Sequence, residues 1–103
     1  MNRFGLSDDQ VTLIREVLVA PLIKAGCKVF VFGSRARGDN QKFSDLDILV
    51  EGPVAPETLS HITETLEESS LPFRVDVVAL SDLAESYRAG VLKDRIEINE
   101  RSL

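Results

Sequence analysis

The reading of this chain turns on residues 29–50, VFVFGSRARGDNQKFSDLDILV. Lys28 to Phe32 is short, β-branched and aromatic, with no polar face. Such a run predicts a central strand buried on both sides. Gly33 breaks it, and Ser34 to Arg37 fits a short helix or turn before Gly38. Asp39, Asn40, Gln41 and Lys42 read as an exposed loop. Leu46 to Val50 is a second apolar run, stopped by Glu51-Gly52-Pro53.

Working outward, Ser7 is a good helix N-cap, with Gln10 placed to close a capping box. Asp8 and Asp9 suit the positive helix end, and Val11, Ile14, Val17 and Leu18 recur at helical spacing. Pro21 is expected to kink or end this helix, and Gly26 closes it. Pro56 starts a helix that runs to about Ser69, with Leu59, Ile62 and Leu66 inward and Glu57, Glu64, Glu67 and Glu68 outward. A third strand spans Phe73 to Leu80. Ser81-Asp82 signals another N-cap, and Leu83 to Lys93 reads as a last helix interrupted by Gly90. Arg95 to Asn99 alternates like a short edge strand. This order predicts an α/β (α+β) fold: a small mixed β-sheet flanked by helices, one domain over residues 1–103.

The composition, 44% hydrophobic and 28% charged, is that of an ordinary folded domain. A net charge of −5 argues against a broad nucleic-acid footprint. The one cysteine, Cys27, allows no internal disulfide, and MNRFGLSDDQ lacks a signal-peptide core; a cytoplasmic setting is expected. No apolar run approaches the roughly 20 residues needed to span a bilayer. Cys27 reads as a packed side chain, and the lone His61 is given no role.

The chemistry-bearing residues are Asp45, Asp47, Asp76, Gly33 and Ser34. Residues two apart on a strand share a face, so Asp45 and Asp47 point the same way. Two adjacent carboxylates repel unless a cation neutralises them, and hard oxygen ligands suit Mg²⁺. Alone, such a pair is more simply two water-facing aspartates. Asp76 adds weight, because an acid between Val75 and Val77 is out of place in a buried strand. If that strand lies beside the second one, three carboxylates converge. Arg74 has the same parity, so a plain polar outer face remains open. Gly33 permits close approach of phosphate oxygens, and a strand-to-helix turn presents free N–H groups. The Ser34 hydroxyl adds a donor, and Arg35, Arg37 and Lys42 add positive charge around the loop.

Gly-Ser after a buried strand, then Arg37-Gly38, then Ser44-Asp45-Leu46-Asp47 opening the next strand, resembles the signature of the DNA polymerase β-like nucleotidyltransferase superfamily. The likeness is closest to its minimal nucleotidyltransferases, which are often encoded beside a HEPN-domain toxin. Asp76 falls where that family places its third acid. The resemblance implies two Mg²⁺ ions on Asp45 and Asp47, with Asp76 binding the catalytic ion and helping to activate the attacking hydroxyl. It implies that Gly33 and Ser34 hold the β- and γ-phosphates of ATP or another NTP. Arg37 either contacts phosphate or braces the loop by pairing with an aspartate. The expected reaction is in-line attack on the α-phosphorus with loss of pyrophosphate.

About fifty residues follow the motif and all are needed for the fold, so the acceptor is either small or brought by another chain. The family suggests a HEPN ribonuclease toxin, AMPylated on a tyrosine and so neutralised. Apolar residues from Leu83 to Val91 could serve a partner, in a homo- or hetero-oligomer, though core packing explains them as well. Two other readings compete: an antitoxin that works by contact alone, and a small-molecule nucleotidyltransferase.

Overall fold

A computed structural model describes residues 3–103 of the chain. A short 3₁₀ turn (Arg3–Gly5) leads into α1 (Asp8–Ile14), a π-helical turn (Arg15–Val19) and α2 (Ala20–Lys24). Then follow β1 (Lys28–Phe32), α3 (Ser34–Arg37), β2 (Leu46–Glu51), α4 (Pro56–Glu67) and β3 (Val75–Ala79). A 3₁₀ turn (Leu80–Asp82), α5 (Glu85–Asp94) and β4 (Ile96–Ile98) complete the order. No helix among the described residues is long and apolar enough to cross a membrane.

The four strands form one mixed sheet in the order β3-β2-β1-β4. β1 is antiparallel to β2 and β4, while β2 and β3 run parallel. The sheet is therefore the small mixed one that the sequence predicts, with β4 at one edge and β3 at the other. The antiparallel β1–β2 pair brings Gly33 and Asp45 to the same end of the sheet.

One face carries Val29, Val31, Ile48, Val50, Val75 and Ile98, all buried. It packs under α1, α2 and α4 in the main core, with Leu18, Leu22, Ile62 and Leu66. Burying each such aliphatic side chain contributes about 1.5–3 kcal/mol, which makes this face the source of most of the stability. The other face is thinner. Phe30 and Leu49 meet Val91 of α5, with Phe32, Val78, Leu80, Leu83 and Leu92 at its margins. A single helix covers this face and leaves one end of it open.

The first helix starts as the sequence predicts. The Gln10 N–H donates to Ser7 Oγ (3.2 Å) and the Ser7 N–H to Gln10 Oε1 (2.9 Å). Pro21 neither ends nor breaks it; instead, the turn before it widens. Proline lacks an N–H and its ring crowds the carbonyl four residues back. A π turn relieves this, with the Ala20 N–H donating to Arg15 O. The last helix differs too. It runs unbroken through Gly90 from Glu85, with Ala84 at its cap, and Ser81-Asp82 lie in the preceding 3₁₀ turn. Leu80 and Leu83 pack on the Phe30 cluster and pull the chain into that turn. β3 is shorter than expected, starting at Val75, because Phe73 turns towards Arg35. Cys27 is buried and unpaired, and His61 lies exposed on α4.

Candidate active site

Sheet register places the acids. Asp47 of β2 is the direct partner of Phe32 on β1 and of Asp76 on β3. Register partners share a face, so Asp47 and Asp76 stand side by side at the open end of the thin face. Asp45, two residues before Asp47, has the same parity and is exposed. Leu46 is tied to β3 through its N–H on Arg74 O (2.9 Å), which fixes the start of β2.

Gly33 closes the site from the β1 side. Its φ of 76° and ψ of −155° suit glycine alone, and a Cβ there would run into Asp47 Oδ2. Asp47 thus packs against bare backbone at the head of α3. α3 is only four residues long, so its dipole is small. What it offers an anion is its first N–H groups, which have no partner within the helix, and the half-buried Ser34 hydroxyl.

The electrostatics follow from this crowding. Asp47 is pushed up to about 6 from its ordinary 3.8, by burial first and then by the charges of Asp76 and Asp45, with Arg37 opposing. Asp76 leans on Arg74 (Oδ1 to Nη2, 3.8 Å), an exposed pair worth little. Among the described residues, no group of three His, Cys, Asp or Glu side chains is drawn close enough to chelate an ion. The donor set nonetheless fits a hard divalent cation, since it is all oxygen and Asp47 is a carboxylate lacking neutralisation.

The basic residues divide in a way the sequence did not reveal. Arg35 is not a phosphate-facing surface charge; it is buried. Nη1 donates to Phe4 O (2.7 Å) and Gly5 O (3.3 Å), Nη2 to Lys42 O (3.2 Å) and Nε to Ser44 O (3.0 Å). The guanidinium also stacks over Phe73 at 4.4 Å. Those carbonyls belong to irregular segments with no ladder partners, and a planar fork of donors can meet them together. Arg35 therefore clamps the loop that ends at Asp45. Burial lowers its pKa and the Asp45 charge opposes this. The only sequence signal was Phe4 and Leu6, two apolar residues ahead of the N-cap, both of which turn out buried. Lys42 is exposed, its ammonium 5.4 Å from the Phe43 ring.

Arg37 is exposed and paired with two aspartates: Nε to Asp39 Oδ2 and Nη1 to Asp94 Oδ2, both 3.1 Å. The second pair joins α3 to the end of α5. These bonds raise Arg37 above its ordinary value, Asp39 most. Arg37 also borders a cleft of about 320 Å³ that runs from Gly33 to Tyr87 and Gly90 of α5.

The Nucleotidyltransferase domain family profile matches residues 13–101, most of the chain. The chain belongs to that family. It is a nucleotidyltransferase domain, with MntA-type relatives. It is 35% identical over 75 residues to the probable protein adenylyltransferase MntA of Haemophilus influenzae, covering 71% of this chain and 66% of that protein. It is 36% identical over 72 residues to the protein adenylyltransferase MntA of Thermococcus cleftensis, covering 69% and 73%. The matched stretch thus spans about two thirds of the Haemophilus protein. A solved structure described as a minimal nucleotidyltransferase superposes with a TM-score of 0.65 at 33% identity, over 90% of this chain and 97% of that one. A toxin–antitoxin crystal structure with AMP-PNP shares the fold, with a TM-score of 0.59 at 20% identity, over 94% and 72%.

Two outcomes are expected of this nucleotidyltransferase domain. Arg35→Lys strands several buried carbonyls and should cost about 3 kcal/mol, read as a lower denaturant midpoint with an unchanged slope. Retention of the wild-type midpoint would refute the clamp. The second concerns Asp47, whose folded pKa is raised. Its charge costs nothing below pH 3.8 and its full penalty above pH 6. With divalent ions chelated, Asp47→Asn should therefore raise the melting temperature at pH 8 and leave it unchanged near pH 4. A two-unit shift is about 3 kcal/mol, reduced by solvent screening to about 1–2.

Proposed function

We propose that this chain is a Mg²⁺-dependent adenylyltransferase that moves AMP from ATP onto a hydroxyl of a partner protein and so neutralises a toxin. The observation that carries it is the register pairing of Asp47 with Asp76, with Gly33 packed on Asp47 and Asp45 just upstream. The names of the MntA relatives support AMP as the transferred group and protein as the acceptor. The fold shared with a toxin–antitoxin complex holding AMP-PNP supports a nucleotide and a toxin partner.

In this reading Asp45, Asp47 and Asp76 would hold two Mg²⁺ ions, which when bound would supply positive charge for the attacking and leaving oxygens. Gly33 and Ser34 hold the β- and γ-phosphates through backbone N–H groups and the Ser34 hydroxyl. Arg37 adds charge at the cleft rim when it turns from Asp94 to phosphate. Asp76 accepts the proton of the acceptor hydroxyl. A bond forms from that oxygen to the α-phosphorus, the bond to the β-phosphate oxygen breaks, and pyrophosphate departs. The chain's own part is positioning, which Arg35 secures for Asp45 and Gly33 for Asp47. The acceptor is a tyrosine of a HEPN-domain toxin, met in the cytoplasm.

The test uses α-labelled ATP, Mg²⁺ and the product of the neighbouring gene. Label should pass to that protein, and Asp47→Asn should cut the rate on the order of a hundredfold or more. An unlabelled partner with the wild type ends the proposal. If the Asp45→Asn, Asp47→Asn variant still neutralises the toxin in full, contact and not transfer is the function.

A further inference from the structure

The cleft beside Gly33 has a feature that folding does not account for. Gly90 sits in the middle of α5 with ordinary helical geometry. Glycine is the poorest helix former after proline, so its place needs a reason. Packing supplies none, since a Cβ at Gly90 would meet nothing within 4 Å. The space it leaves belongs to the cleft, whose other walls include Phe32, Ser86, Tyr87 and Val91. Tyr87 is one of two large apolar side chains left open on the described surface, 68% exposed. A single exposed aromatic means little. One that borders a cleft beside a helix glycine, continuous with the residues that would grip phosphate, has a use.

We propose that this cleft is the base subsite: the nucleobase of the NTP lies over Gly90 and stacks on the Tyr87 ring. The inference rests on the nucleotide reading given above and extends it to a surface of α5. Three observations choose a nucleobase. The cleft volume of about 320 Å³ lies at the lower end of the range for small-molecule sites. Its walls set Phe32, Tyr87 and Val91 beside Ser86 and the Arg37–Asp94 pair, so a flat heterocycle meets apolar faces for stacking and polar groups at its edge. Its inner end is Phe32 and Gly33, and Phe32 is the strand partner of Asp47. The inner end of the cleft therefore lies about one strand spacing from Asp47, on the side where Gly33 and Ser34 stand. Stacking reads any base, and a purine offers the larger face.

The test compares Mg·ATP with Mg·tripolyphosphate, which has the phosphates and no base, by calorimetric titration of the full chain. Wild type should bind ATP more tightly than tripolyphosphate. Gly90→Leu fills the cleft with a better helix former, so its melting temperature should equal or exceed wild type. Its ATP affinity should fall roughly tenfold or more, with tripolyphosphate affinity unchanged. Tyr87→Ala should lose roughly tenfold for ATP alone, and Tyr87→Phe should restore it. Unchanged ATP binding in Gly90→Leu overturns the base subsite. Equal losses for ATP and tripolyphosphate also overturn it, since the cleft would then serve the phosphate tail. Wild type that binds ATP no better than tripolyphosphate removes the base subsite and leaves the transferase reading standing. Wild type that binds neither removes both.

Discussion

Three carboxylates on one face of a small sheet repel one another, and the fold has to hold them in place against that repulsion. Backbone pairing does this, because strand hydrogen bonds are indifferent to side-chain charge. The parallel β2–β3 register sets Asp47 opposite Asp76, and the antiparallel β1–β2 register sets Asp47 opposite Phe32. Neither strand can slip by one residue without turning its apolar side chains out of the core. The aliphatic face, with Val31, Ile48 and Val75 buried, therefore fixes where the acids stand. Burial first, and then the neighbouring Asp76 and Asp45 charges, raise the pKa of Asp47 held there.

The loop between Gly33 and Asp45 has no ladder to hold it. Arg35 substitutes for one. Its fork reaches carbonyls at Phe4 and Gly5 on one side and at Lys42 and Ser44 on the other. The N-terminal turn is thereby part of the site's support, although it lies some thirty residues away in sequence. Buried charge of this kind adds little net stability, but losing a partner is costly. A cation so placed sets geometry more than it adds to folding free energy.

Much of this was legible in the sequence. Residues 28–32 and 46–50 read as strands because their apolar runs are short and β-branched, and Ser7 with Gln10 read as a capping box because that motif is local. Gly33 announced itself as a turn glycine. The direction of Arg35 was not legible, since nothing local tells a buried arginine from an exposed one, and its acceptors come from two separate segments. Pro21 does not end the helix, for a similar reason: helix propensity sees the missing N–H, while a widened turn before it, with Leu18 and Val19 buried, accommodates the ring. Asp76 could be guessed as an acid out of place. Its pairing with Asp47 is a matter of strand order, which periodicity does not encode. Asp94 carried no signal, as its partner Arg37 lies fifty-seven residues away.

β3 is the outermost strand, and the Asp76 side chain is 51% exposed on it. Among the described residues no further strand lies beyond it along the sheet. The Asp76 carboxylate is thus as open to a group on the surface of a folded macromolecule as to a free small molecule. The same openness admits water. None of the described residues covers the Asp76 carboxylate, so any dryness that strengthens charge–charge contacts there would come from whatever docks on it. The acceptor would then act as the lid of the site it enters.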